Sequence, residues 1–319
     1  VSDIGDALSR IRQAIATVVV GKRETVDQLL VAVLCRGHVL IEDVPGVGKT
    51  LLARSLAATM GCSFRRVQFT PDVLPSDVTG SNVFDQRTSE FSFRPGPIFT
   101  QVLLADEINR ATPRAQSALL EAMEERQVTV DGQTMSLPEP FLVLATQNPI
   151  ELEGTFPLPE AQLDRFLLRV HPGYPSVEEE DAMIRRFESG DPLSRLTPEV
   201  GAADVLALQA ARDAIHVGDE VRAYLLQVVR STRSDERVAL GASPRAALAL
   251  NRAVQANALL AGRHFAVPDD VKALTPAVLA HRLILSTDAR LRGHTAEAVL
   301  ATVLDTVPVP VEDEALERG

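Results

Sequence analysis

The chain has 319 residues, enough for one large domain or two modest ones around a substantial buried core. Hydrophobic residues make up 45% and charged residues 24%, which excludes a collagen-like or disulfide-stapled chain and argues against wholesale disorder. The formal net charge is -11, and Lys and Arg cluster no further than pairs such as Arg65-Arg66 and Arg185-Arg186. Without the basic stripe that a phosphate backbone demands, nucleic acid is a poor match as a partner.

At the N-terminus, Asp3, Asp6, Arg10 and Arg12 are unlike a secretory signal, and no run approaches the roughly 18 apolar residues of a membrane span. A cytoplasmic protein without membrane insertion is the expectation. Ile4, Leu8, Ile11, Ile15 and Val18 recur at helical spacing and predict an amphipathic first helix, with a second from about Glu24 to Leu34. The only cysteines are Cys35 and Cys62. The apolar stretch ahead of Cys35 predicts a buried thiol, neither cysteine has metal-ligand spacing, and the scattered histidines predict no zinc.

His38 to Ile41 reads as a short buried strand, followed by a Gly-rich turn and an apolar helix from Thr50 to Met60. Further strands are predicted at Phe64 to Phe69, Val102 to Ala105, Phe141 to Thr146 and Leu167 to Val170, alternating with helices such as Pro113 to Glu125. That alternation predicts an α/β fold with a parallel sheet whose ligand lies at the carboxyl ends of its strands. Two stretches interrupt it: Thr79 to Phe99, holding Phe84, Phe91, Phe93 and Phe99, and Gln127 to Leu137, a hairpin turning at Asp131-Gly132. Pro172-Gly173-Tyr174-Pro175-Ser176 marks a domain boundary. Beyond it the pattern predicts helices rather than strands, one opened by the cap Ser243-Pro244 and stopped by Gly262. The expected domains are therefore 1–172, 176–307 and an acidic tail at 308–319.

Three constellations carry chemistry. In Asp43-Val44-Pro45-Gly46-Val47-Gly48-Lys49-Thr50, glycines let backbone N–H groups close on a triphosphate. Lys49 neutralises its charge, the Thr50 hydroxyl suits Mg2+, and Leu51 continues into a helix whose positive end faces the phosphates. Asp43 stands where the general pattern has a glycine, and an acid there is expected to turn away from the phosphates. The apolar strand Val102 to Ala105 then ends in Asp106, suited to Mg2+, and Glu107, suited to activating water as a general base. Asn148, after the strand ending at Thr146, either orients that water or simply forms the turn before Pro149.

These blocks resemble the MoxR family of AAA+ ATPases over nearly the whole chain. The likeness rests on Leu40-Ile41-Glu42-Asp43-Val44-Pro45-Gly46, on Gln68-Phe69-Thr70-Pro71-Asp72-Val73-Leu74-Pro75-Ser76-Asp77 and on Asp106-Glu107-Ile108-Asn109-Arg110-Ala111. Further carriers are Ala145-Thr146-Gln147-Asn148-Pro149 and Leu158-Pro159-Glu160-Ala161-Gln162-Leu163-Asp164-Arg165-Phe166. The resemblance implies an AAA+ P-loop core with a parallel sheet followed by an all-helical lid, acting as a Mg-dependent ATPase in a ring that is usually hexameric. It implies Asn148 as the sensor of the γ-phosphate, Arg165 as the arginine finger reaching a neighbour's site, Arg245 as the second sensor, and Val19, Val20 and Gly21 as the adenine pocket. Both interruptions become the family's protruding insertions. The implied role is a chaperone or cofactor-insertion factor for a protein client, often with a separate partner carrying a von Willebrand factor A domain. Two other readings compete: a DNA-remodelling motor, against which the acidic balance and the Asp131-Gly132-Gln133 hairpin tip weigh, and a nucleotide-gated scaffold without turnover, against which the intact Asp106-Glu107 pair weighs.

Overall fold

Val39, Leu40 and Ile41 are fully buried, and they make strand β1 (Val39–Glu42) a central member of a five-stranded sheet. The computed structural model describes residues 2–87, 89–149, 154–188 and 190–310, so the expected acidic tail lies outside the described residues from position 311 onward. Helices α1 (Ser2–Ala16) and α2 (Arg23–Leu34) precede β1, and α3 (Lys49–Thr59) follows it. Next come β2 (Phe64–Gln68), the short α4 (Pro75–Thr79), the pair β3 (Gly80–Asp85) and β4 (Glu90–Pro95), and β5 (Val102–Asp106). Helix α5 (Pro113–Glu125), the pair β6 (Gln127–Val130) and β7 (Gln133–Ser136), β8 (Leu142–Gln147), α6 (Glu160–Leu163) and β9 (Leu168–Val170) complete the α/β part.

The sheet order is β2-β5-β8-β1-β9, and every pair is parallel. Strands β5 and β8 read as unbroken apolar runs because both their faces are covered, as a parallel sheet requires. Leu40, Leu103, Ala105, Val143 and Ala145 pack in one cluster with Leu119, Leu120 and Met123 of α5. Each such leucine contributes roughly 1.5–3 kcal/mol of apolar burial. Helix α5 is started by Thr112, whose Oγ1 accepts from Ala115 N at 3.4 Å ahead of Pro113.

His38 is a buried polar tie at the base of β1. Its Nδ1 accepts from Val143 N at 2.9 Å, and its Nε2 lies 3.1 Å from Met123 O, so the ring joins β1 to β8 and α5. Burial, helped by the nearby Arg126 cation, pushes its pKa from 6.5 down to about 3. Cys35 is buried, as the surrounding leucines imply.

The two interruptions are antiparallel pairs, β3 with β4 and β6 with β7. Ordinary packing accounts for Phe93 and Phe99, whose rings meet edge to face at 5.6 Å, but Phe84 and Phe91 pair at 5.1 Å on an exposed surface. Asn82 Nδ2 donates to Asp131 Oδ2 at 2.7 Å, which links the two insertions.

The compact units divide between Ala211 and Arg212, later than the Pro172–Ser176 punctuation. Helix α7 (Val177–Glu188) and most of α8 (Ala202–Arg212) belong to the first unit because the chain stays tied to it. Glu199 N donates to Thr59 O at 2.8 Å, and Gln209 Nε2 donates to Val33 O at 2.8 Å. The second unit holds α9 (Asp219–Ser234), β10 (Val238–Leu240), α10 (Pro244–Leu260), α11 (Pro268–Leu279), β11 (Ile284–Leu285), α12 (Thr287–Leu291) and α13 (Ala296–Thr306). Its described residues are mostly helical, and the antiparallel pair β10–β11 is too short to leave an alternating pattern in the sequence. Ser243 Oγ caps α10 by accepting from Ala246 N at 3.2 Å.

Candidate active site

The carboxyl ends of β1, β5 and β8 meet at a polar cleft of about 450 Å3. Its walls include Gly46, Gly48, Lys49 and Thr50 from the loop after β1, Asp106 and Glu107 from the end of β5, and Asn148 just past β8. Gly46 and Gly48 have φ of +90° and +85°, values that favour glycine, and nothing lies within 4 Å of where a Cβ would project. The loop thus presents bare backbone to the cleft, and α3 starts immediately behind it.

Lys49 Nζ donates to Asp43 O at 2.7 Å, within the loop itself. Burial pulls the Lys49 pKa below its ordinary value, opposed by Asp43, Asp106 and Glu107. Asp43 lines neither the cleft nor the slot described below. Its carboxylate accepts from Val44 N at 2.8 Å and from Gly173 N. Lys22 Nζ donates to the carbonyls of Pro172 (2.9 Å) and Gly173 (2.8 Å), so the loop is braced from behind.

Both acids already have partners. Asp106 Oδ2 accepts from Arg66 Nη2 at 2.6 Å and Nε at 3.1 Å, and Asp106 Oδ1 accepts from Thr146 Oγ1 at 2.5 Å. Glu107 Oε2 pairs with Arg110 at 3.2 Å, and Glu107 N donates to Thr146 Oγ1 at 2.8 Å. Glu107 has φ +56° and ψ +50°, a left-handed backbone seldom used by residues other than glycine.

On the other side of the loop lies a narrow apolar slot of about 50 Å3, sharing Gly46, Gly48, Lys49 and Leu51 with the cleft. Val19, Val20, Val47 and Leu52 line it together with Met183 and Phe187 of α7. Gly21 does not: it lies on an adjoining cleft with Arg12 and Arg23, and the Glu179 side chain packs over it. Val44 also lines neither cavity.

Residues 38–168 match the family model described as ATPase family associated with various cellular activities (AAA), and residues 230–303 match an AAA lid domain. The chain is 44% identical to Chaperone MoxR1 of Mycobacterium tuberculosis, covering 95% of this chain and 82% of that one. It belongs to the MoxR family of AAA+ ATPases. Over 98% of both chains it is also 48% identical to the uncharacterized protein YeaC of Bacillus subtilis. A solved structure of a candidate ATPase from Cytophaga hutchinsonii superposes with a TM-score of 0.90 at 37% identity, over 97% of this chain and 96% of that one.

In this MoxR-family chain Arg165 is not among the residues that line the cleft. Arg165, just after α6, pairs through Nε with Glu124 Oε2 at 3.2 Å. Arg245 is exposed in the first turn of α10, in the second unit. Sequence reasoning did not single out Arg66 or Thr146 as site residues. Arg66 sits on a strand whose far end meets Asp106 only through sheet register, and Thr146 reads as an ordinary β-branched strand residue. Among the described residues, no helix is long and apolar enough to cross a membrane.

Proposed function

We propose that this protein binds Mg-ATP and hydrolyses it, with the triphosphate in the polar cleft and the adenine in the apolar slot. The observation that carries this reading is the shared loop: one glycine-rich segment has a cleft lined by two acids on one side and an apolar slot on the other. The slot is smaller than a purine, so the flexible Met183 and Phe187 side chains part to admit the base.

Lys49 exchanges its carbonyl contact for the β/γ-phosphates. The hard oxygen donors of Thr50 and Asp106 suit Mg2+, which when bound neutralises charge on the phosphates. Glu107 releases Arg110 and takes a proton from the attacking water as the γ-phosphoryl group leaves ADP. Asn148, on the same wall, orients that water.

The wider reading is a cytoplasmic ring, a hexamer, in which Arg165 leaves Glu124 to stabilise charge on a neighbour's γ-phosphate and Arg245 acts as second sensor. Its work is chaperone-like assembly or cofactor insertion on a separate protein client, with a von Willebrand factor A domain protein as the first partner to test. The experiment is Glu107→Gln in the assembled protein. ATP binding measured by calorimetry is expected to persist while turnover falls by about 100-fold or more. Wild-type turnover in that variant refutes Glu107 as the base, and absence of Mg-ATP binding by the wild type refutes the whole assignment.

A further inference from the structure

We propose that Thr146 is a positioning residue that holds both acids of the site through one hydroxyl; the claim rests on the ATPase reading above. Strands β5 and β8 pair in register up to Ala105 and Ala145, so the next residue of each emerges side by side at the carboxyl edge of the sheet. Thr146 is only 1% exposed there. A hydroxyl has one proton to give and lone pairs to receive with. The Thr146 proton goes to Asp106 Oδ1 (2.5 Å), and a lone pair receives Glu107 N–H (2.8 Å).

The two bonds act on different parts of the machinery. The first fixes the Asp106 carboxylate by one oxygen and leaves Oδ2 as the oxygen that Arg66 reaches. The second anchors the amide of Glu107, whose left-handed backbone (φ +56°) persists only where surrounding contacts hold it. That conformation sets the direction in which the Glu107 side chain leaves the strand. Loss of the hydroxyl therefore frees the metal-side carboxylate and the backbone of the general base together. Valine keeps the shape of threonine and loses both bonds, whereas serine keeps both.

The test compares Thr146→Val and Thr146→Ser with wild type and with Glu107→Gln. Thr146→Val is expected to lower turnover about 10- to 100-fold with the KM for ATP changed less than about threefold, the loss expected from removing buried hydrogen bonds to a charged group and a strained amide. Thr146→Ser is expected to stay within about threefold of wild type. Calorimetry supplies a readout apart from turnover: nucleotide affinity in EDTA stays unchanged in Thr146→Val, while the gain in affinity on adding Mg2+ shrinks. Turnover and Mg2+ gain like wild type in Thr146→Val overturn the proposal, and so does a serine variant as impaired as the valine one. If wild type binds Mg-ATP without turning it over, the ATPase reading fails, and the Mg2+ gain still decides the claim about Thr146. Should Thr146→Val not fold, Thr146→Ala removes the same hydroxyl without placing a methyl in its position and carries the same comparison.

Discussion

Acidification is expected to weaken the sheet that carries the phosphate loop, through one residue, His38. Its ring is held neutral, with Nδ1 as acceptor for Val143 N and Nε2 as donor to Met123 O. Burial and then Arg126 push its pKa to about 3, below the ordinary 6.5. Because the folded value is the lower one, the stability of the neutral ring is fully present above 6.5 and is lost as pH falls toward about 3: the unfolded chain takes up a proton that the folded chain refuses. Each pH unit in that window costs about 1.4 kcal/mol, so the loss at about pH 5 is about 2 kcal/mol relative to neutral pH. Other groups titrate here too, so the measurement is a difference. His38→Gln retains an acceptor and a donor but does not titrate. Urea unfolding of both proteins, followed by circular dichroism at several pH values, is expected to show the wild-type advantage over His38→Gln shrinking by about 2 kcal/mol between about pH 7 and about pH 5. Parallel stability curves for the two proteins would refute the reasoning, because they would mean that the folded ring accepts its proton without loss.

Two further outcomes follow from contacts around the site. Arg66 covers Asp106 Oδ2 through a half-exposed ion pair, so Arg66→Ala is expected to lower the Mg2+ concentration needed for half-maximal nucleotide binding by about two- to fivefold. A titration of fluorescent nucleotide with Mg2+ checks this. At Gly21, with φ +75°, a Cβ would lie 2.0 Å from Glu179 Oε1, so Gly21→Ala is expected to cost about 1 kcal/mol or more. Calorimetric melting should show Glu179→Ala restoring part of that loss in the double variant, with the backbone strain remaining.

The phosphate loop and the acid pair were legible because their chemistry prescribes residue types at fixed spacing. Gly46, Gly48, Lys49 and Thr50 face one cleft with Asp106 and Glu107. The strands were legible because burial on both faces makes them apolar runs: the expected Val102 to Ala105 became Val102–Asp106, and Phe141 to Thr146 became Leu142–Gln147. Arg66 and Thr146 were not, because what they touch is decided by the register of β2, β5 and β8, and no local pattern encodes register between strands far apart in sequence. Packing likewise carries the first compact unit past Pro172 to Ser176: it runs to Ala211, after Gln209 has reached Val33.

Asp43 shows the same division within a single residue. The general loop pattern has a glycine at its position, and a reading limited to the phosphate side treats the acid as a defect. Its carbonyl, however, receives Lys49 Nζ, while its carboxylate receives the amides of Val44 and Gly173. Lys22 in turn holds the carbonyls of Pro172 and Gly173. The side chain thus ties the back of the loop to the segment after β9, and backbone close to a polyanion does not have to be glycine where its side chain faces away. The cleft side of a phosphate loop is constrained by its ligand and is therefore readable from residue types. The rear is constrained by whatever the fold packs behind it, and only the tertiary structure supplies that partner.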